Sequence, residues 1–304
     1  MSLVDFSIER LTQGDEGFRS QFPSWNLAEL TPVEINAYLS VKDTVIVPMA
    51  STEQHGLHLP LNTDTITATV VSQLVSESIG VLHTPTVWTG YSPQHMFDVG
   101  EARGTITLRS STIVSLLHDI GRSLIHHGFN RIIFINGHGS NQKIIDPVLR
   151  SLKYETGAVV GFLSPIMERH VGLLDGLFSD VENMTPGSHA SDLETSQMLC
   201  ACARLVYLHR ANRHSVHIPS FLPDAFAKKD GRPDVAFEGQ SYFNFPMEYK
   251  EISTNGATGA VQEASAEIGE EAFRRFATYI AKGLVELQKV PVEIKDREFR
   301  DRVL

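Results

Sequence analysis

Thr44-Val45-Ile46-Val47-Pro48-Met49-Ala50-Ser51-Thr52-Glu53-Gln54-His55-Gly56-Leu57-His58-Leu59-Pro60-Leu61-Asn62-Thr63-Asp64 is an apolar run, a polar turn-rich stretch and a helix start in succession. The run at 44–49 does not alternate, which predicts a strand covered on both faces. In the extended stretch after it, residues two apart share a face, so Glu53 and His55 can converge. Glycine and proline then turn the chain and bring Asp64 to the head of a helix. That helix is expected over Thr65–Ile79, where Ile66, Val70, Val71, Leu74 and Val75 recur with helical spacing.

The same rhythm continues outward. Upstream, Thr31-Pro32-Val33-Glu34 combines a threonine cap, a first-turn proline and a capping-box glutamate. Downstream, Val81 to Val87 reads as a strand. Ser111 to His127 reads as a helix closed by Gly128, with His126 and His127 in its last turn, where partial negative charge favours them. Arg131 to Ile135 is a strand, Gln142 to Thr156 a helix, Ala158 to Leu163 a strand and Leu193 to Val206 a helix. A final helix is expected from Val261 to Gln288. Strands alternating with helices imply right-handed crossovers: an α/β fold of three layers, α/β/α, with a mainly parallel sheet. The segment from Tyr207 to Ser253 breaks the pattern with prolines and aromatics. It is expected to be irregular, or to form short antiparallel strands, covering the site or a partner subunit. Residues 1–24 read as an arm that wraps the body or a neighbour. With no convincing linker, residues 1–304 are taken as one domain.

Composition excludes several classes. An apolar content of 42% with 20% charged residues is that of a globular protein. No apolar run approaches the ~18–20 residues of a membrane span. Neither a basic nor an apolar leader opens the chain. A net charge of −10 gives no footprint for nucleic acid. Cys200 and Cys202 lie too close in one helix to bridge well, so a reducing cytoplasm is expected.

Candidate ligands fall in three clusters: Glu53, His55 and Asp64; His138 within Asn136-Gly137-His138-Gly139-Ser140-Asn141; and Glu194 within Ser188-His189-Ala190-Ser191-Asp192-Leu193-Glu194. The first two follow strands, at the carboxyl ends where open α/β folds place their sites. Two imidazoles with three carboxylates suit zinc, manganese or related ions and are too rich in nitrogen for calcium. Five ligands exceed the three of one catalytic zinc, whereas one bridging carboxylate would serve two metals. Structural alternatives stand beside these readings. Asp64 fits a helix cap, Ser191 to Glu194 fits a capping box, and His58 fits a loop residue behind the ligands. Asn136, Ser140 and Asn141 fit a role in orienting the loop around His138.

Ser51-Thr52-Glu53-Gln54-His55-Gly56 with Leu59-Pro60 and Thr63-Asp64, then Asn136-Gly137-His138-Gly139, then Glu194-Thr195-Ser196, resembles the creatininase family over roughly residues 27–205. Thr258-Gly259-Ala260 is similar too. The resemblance implies two divalent ions per chain, zinc and/or manganese with iron as a further option. It implies Asp64 as their bridge, Glu53 paired with His138, and His55 paired with Glu194. It implies His189 as the proton-transferring residue, and Ser92, His95, Gly139 and Ser140 as substrate-binding. A homo-oligomer, commonly a hexamer, is also implied, with a small-molecule substrate and neither nucleic acid nor membrane as partner.

Departures from the family pattern concern specificity. Ser140 stands where creatininase has a glutamate. Pro165-Ile166 and Thr185-Pro186 stand where tryptophans enclose its ring. Glu101-Ala102-Arg103-Gly104-Thr105 replaces Phe-Pro-Gly-Thr. Creatinine is therefore not the expected substrate. The expected activity is hydrolysis of a small cyclic amide or formamide C–N bond by a metal-bridging hydroxide, with His189 as shuttle. Hydrolysis of a C–C bond in an inositol-derived cyclic diketone is the alternative, and Arg103 could meet such a polyhydroxylated or anionic substrate. A non-catalytic metal- or ligand-binding protein on the same fold is the reading from another class. No G-x-G-x-x-G follows any strand, which sets aside a dinucleotide enzyme.

Overall fold

A computed structural model describes residues 2–12, 15–96, 102–164, 172–179, 188–211, 216–228 and 234–299. Glu101, Pro165-Ile166 and Thr185-Pro186, singled out in the sequence, lie outside the described residues.

Among the described residues, four parallel strands form the central sheet: β1 (Thr44–Met49), β2 (Leu82–His83), β3 (Arg131–Asn136) and β4 (Val159–Leu163), in the order β2-β1-β3-β4. Helices α1 (Pro32–Leu39), α2 (Thr63–Ile79), α3 (Ser110–His127), α4 (Ile145–Thr156), α5 (Asp192–Cys202) and α6 (Ala266–Leu287) flank it. Strand periodicity assigns the layers. Ile46, Ile133 and Ile135 pack with α2, α5 and α6. Val45, Val47, Met49, Ile132 and Phe134 point the other way, into α1, α3 and α4. Both faces are dry, which is why β1 and β3 read as unbroken apolar runs.

The strand order positions the site. From β1 the chain runs through α2 to β2 on one side, then returns through α3 on the opposite face to β3 on the other side. The direction of winding therefore reverses between β1 and β3, opening a crevice at their carboxyl ends. Register brings Met49 beside Asn136, so the segments following both strands leave at the same level.

Several boundaries differ from expectation. β2 stops at His83: Thr84 still donates to the Ile46 carbonyl at 2.9 Å, but Pro48 on β1 has no N–H to return to Thr84. Val87 then rejoins β1 by a single bridge to Met49. The helix expected from Gln142 begins at Ile145, after a 3-10 stretch over Gly139–Lys143. α5 tightens to 3-10 at Ala203–Leu205 instead of continuing to Val206. α6 starts at Ala266, where the Ser265 hydroxyl accepts the Ile268 N–H at 3.2 Å, and not at Val261. The capping box at Thr31 and Glu34 is present as read. The segment after Tyr207 contains an antiparallel sheet of β5 (Phe226–Ala227), β6 (Asp234–Phe237) and β7 (Gln240–Asn244). The N-terminal arm wraps this chain's own body, with Val4 and Ile8 against the α2 layer and Phe18, Phe22 and Trp25 against the α1 layer.

Candidate metal centre

The loop leaving β1 carries Glu53 and His55 into the crevice, the first turn of α2 carries Asp64, and the loop leaving β3 carries His138. Glu194 arrives on the first turn of α5. All five are buried or nearly so. Neither helix uses its acid as a cap. Asn62 precedes α2 and Ser191 precedes α5 without a capping side-chain bond. Glu194 instead accepts the N–H of Ala190 at 2.6 Å. Ala190 is a non-glycine residue at φ 55°, a costly conformation that the surrounding site holds in place.

Asp64 is central to the geometry. Its Oδ1 lies 3.1 Å from His55 Nε2 and its Oδ2 lies 3.1 Å from His138 Nδ1. Glu53 Oε2 is 3.1 Å from the same His138 nitrogen, and Glu194 Oε2 is 3.7 Å from His55 Nε2. The far nitrogens of both rings are engaged elsewhere. His55 Nδ1 faces the Glu53 carbonyl at 3.1 Å, and His138 Nε2 faces the Tyr91 carbonyl at 3.0 Å. A carbonyl only accepts, so each far nitrogen carries a proton and each near one is left for the cage. This second contact is the usual way a ligating imidazole is oriented. Glu53 Oε2 and Asp64 Oδ2 are buried and, among the described residues, share a single nitrogen, His138 Nδ1, which has at most one hydrogen to give. Buried carboxylate oxygens left short of donors call for a cation, so the donor set fits divalent metal.

The charge balance of the metal-free chain agrees. Burial works to lower His55, but Asp64, Glu194 and Glu53 outweigh it and raise the imidazole to about 10. His138 is raised well above its ordinary value against burial, chiefly by Glu53 and Asp64. Burial raises Glu194 to about 7, with Asp64 adding repulsion and His55 opposing. Burial works to raise Glu53, yet His138, His95 and His189 together take it well below the ordinary carboxylate range. In effect the cage draws in protons where cations would sit.

The remaining sequence candidates take distinct places. His189 Nδ1 is 3.6 Å from Glu53 Oε1, and its Nε2 lies 2.7 Å from the Gln54 carbonyl. Its ring is 4.3 Å from that of His55. Burial and repulsion from His55 and His95 hold it well below the ordinary imidazole value. His95 Nε2 is 3.3 Å from Glu53 Oε1. Ser92 is fully buried behind His138, its hydroxyl 3.1 Å from Nε2 and bonded to Ser51. Ser140 accepts from the Gln94 amide at 2.7 Å, while Gly139 borders open space where a β-carbon would meet no atom within 4 Å. His58 turns away to Thr195 Oγ1 at 2.9 Å. Three overlapping groups each gather their ligand atoms within 4.8 Å: Glu53, His95 and His189; His55, His189 and Glu194; and Glu53, His55 and Asp64.

Two residues at the site carried no functional reading in the sequence. Tyr249 stacks on His95 with ring centroids 4.0 Å apart and meets His189 edge-on at 4.9 Å. Nothing local marks it beyond its place in the segment expected to cover the site. Gln54 joins His95, Gly56 and Gly256. In strand alternation it points away from Glu53 and His55, which concealed it.

Residues 28–284 match the Creatininase family, described as creatinine amidohydrolase. The chain is 28% identical over 255 residues to a creatinine amidohydrolase of Pseudomonas putida, covering 80% of this chain and 90% of that protein. It is 26% identical over 261 residues to a 3-dehydro-scyllo-inosose hydrolase of Thermotoga maritima, covering 83% and 80%. Among solved structures, one described as manganese creatininase superposes with a TM-score of 0.69 at 28% identity, covering 88% of this chain and 100% of that one.

Proposed function

The chain belongs to the creatininase family and is a metal-dependent hydrolase; from that premise we propose that it holds two divalent ions and hydrolyses a small cyclic amide or formamide at its C–N bond. One observation carries the binuclear reading: the two oxygens of Asp64 face different histidines, His55 and His138, each at 3.1 Å. Glu53 and His138 would hold one ion and Glu194 and His55 the other, with Asp64 serving both. When bound, such a pair supplies a water acidic enough to ionise near neutral pH and a Lewis acid for the scissile carbonyl.

The chain's own residues supply orientation and proton transfer. His95 directs Nε2 at Glu53 Oε1, which leaves Oε2 for the His138 side. His189 carries its hydrogen on Nε2, toward the Gln54 carbonyl, so Nδ1 presents a lone pair to the cage. In this role Nδ1 takes a proton from the attacking water and returns it to the departing nitrogen. Its lowered basicity keeps the ring neutral beforehand and makes it a strong donor afterwards. Gly139 leaves room beside His138 for a substrate atom, while Ser140 and Ser92 support the loops behind it.

A second reading stands on the similarity to the inosose hydrolase, which covers as much of this chain as the similarity to the amidohydrolase. There the same water would attack a ring ketone and a carbanion would depart in place of an amine. We read the whole chain as one hydrolase domain, since α6 packs on both α2 and α5. We also propose a cytoplasmic homo-oligomer, a hexamer by family resemblance. Unpaired cysteines support the first point, and exposed aromatics on β7, including Tyr242 and Phe243, support the second. Elemental analysis of the purified protein, beside a panel of cyclic amides, formamides and cyclic diketones, tests the proposal. Two ions per chain with turnover of an amide or formamide support it. One ion in the active protein, or turnover of diketones alone, overturns the corresponding half.

A further inference from the structure

Gln54 stands between two metal-ligand candidates, and every hydrogen-bonding atom it owns is committed. Its Oε1 accepts the Gly56 N–H at 3.0 Å, and its Nε2 donates to the Gly256 carbonyl at 3.0 Å. Both partners are main-chain groups of fixed polarity, so the amide has only one orientation. The second Nε2 hydrogen is directed at His95 Nδ1, 2.9 Å away, and not at His189 Nε2, which lies farther off at 3.4 Å and gives its own hydrogen to the Gln54 carbonyl. Since the amide hydrogen needs an acceptor, His95 Nδ1 must be the bare nitrogen and Nε2 the protonated one, aimed at Glu53 Oε1. The Gln54 carbonyl meanwhile accepts from His189 Nε2 at 2.7 Å. Its N–H donates to Thr105 Oγ1 at 3.1 Å, which anchors the main chain. Gly256 makes the arrangement feasible: at φ +87°, a β-carbon there would lie 2.0 Å from Gln54 Oε1.

We propose that Gln54 is a positioning residue that sets the tautomers of two histidines, His95 through its side chain and His189 through its carbonyl. The site is thereby given one fixed donor, His95 Nε2–H, and one fixed acceptor, His189 Nδ1, on either side of Glu53 Oε1. This deepens the hydrolase reading and relies on it only for the use to which His189 Nδ1 is put. Tautomers are read without turnover, so either statement can fail alone.

The test is long-range ¹H–¹⁵N correlation on full-length protein labelled at histidine, metal-free and loaded with zinc. Peaks are assigned by their loss in His95→Asn and His189→Asn. The wild type should show both rings protonated at Nε2 and bare at Nδ1. Gln54→Glu replaces the donor with a carboxylate, which requires a hydrogen from His95 Nδ1. His95 should then gain a proton at Nδ1 while His189 keeps its wild-type pattern. Should Gln54→Glu not fold, Gln54→Leu removes the donor and should leave His95 a mixture of tautomers. A wild-type His95 protonated at Nδ1, or a His95 pattern unchanged in the variants, overturns the proposal. So does a wild-type His189 whose Nε2 is bare.

Discussion

Replacing Asp64 by asparagine removes the carboxylate charge whose two oxygens each stand 3.1 Å from a different histidine. What it changes is the metal linkage. Free zinc at about a thousand times its Kd stabilises a folded chain by ~4.1 kcal/mol per site. An unfolding entropy of ~2.1 cal/mol/K per residue over 304 residues converts this to a Tm gain of ~6 °C for one site and ~13 °C for two. The wild type should show the larger gain. His55→Ala spares Glu53, Asp64 and His138 and should keep the smaller one. On the proposed two-ion arrangement, Asp64→Asn should lose nearly all of it, because both sites would lose a charged ligand at once. Scanning calorimetry of metal-stripped samples with and without zinc measures the gain, and elemental analysis of the same samples counts ions. If Asp64→Asn retains one ion per chain and about half the gain, Asp64 serves one site only and the bridging argument is wrong.

His189→Ala should keep its metal and its assembly while turnover falls by ~10²–10⁴-fold; loss of an ion in this variant would make His189 a ligand. In the metal-free chain, His55 is raised to about 10 and Glu194 to about 7. Each favours the folded state while protonated, so their contributions are lost as pH rises through those values. Zinc held as proposed would compete with the proton on His55 Nε2, so zinc should release at least about one proton per chain at pH 8, and its Tm gain should be larger at pH 9 than at pH 6. Indicator-dye titration with zinc checks the first; no proton release would contradict the cage's charge balance. Finally, Tyr242 and Phe243 on β7 are 87% and 46% exposed. If they belong to a subunit contact, Tyr242→Ser with Phe243→Ser should shift sedimentation toward the monomer, and a monomeric, fully active wild type at micromolar concentration would end that argument.

The layers could be read in advance because they rest on short-range periodicity. Val45, Ile46 and Val47 in β1 and Ile132, Ile133 and Phe134 in β3 are apolar at every position, as strands buried on both faces must be. Boundaries were harder to read, since they depend on single groups. Pro48 on β1 ends the ladder to β2 by lacking an N–H, and Ser265 rather than Val261 opens α6. The segment after Tyr207 was readable only as an interruption. Its strands pair antiparallel and bury a small cluster around Leu222, Val235, Met247 and Ile252, none of which has a local periodic signature.

At the site, Glu53, His55 and Asp64 sit within one motif, and His138 follows a strand directly, so local spacing was enough to mark them as candidate ligands. Capping by Asp64 and Glu194 was equally consistent with sequence. Only the folded chain shows both carboxylates turned inward, one toward two histidines and the other toward His55 and the Ala190 N–H. Hydrogen-bond polarity is likewise a tertiary property. Gln54 becomes a donor to His95 because Gly256, some two hundred residues later, places a carbonyl on its other hydrogen. Tyr249 reaches His95 for the same kind of reason. Periodicity and residue type were enough for the α/β framework and for marking a set of candidate donors at strand ends. Tertiary structure alone decided which oxygen faces which nitrogen and which nitrogen holds the proton, because those depend on groups brought within about 3 Å from distant parts of the chain.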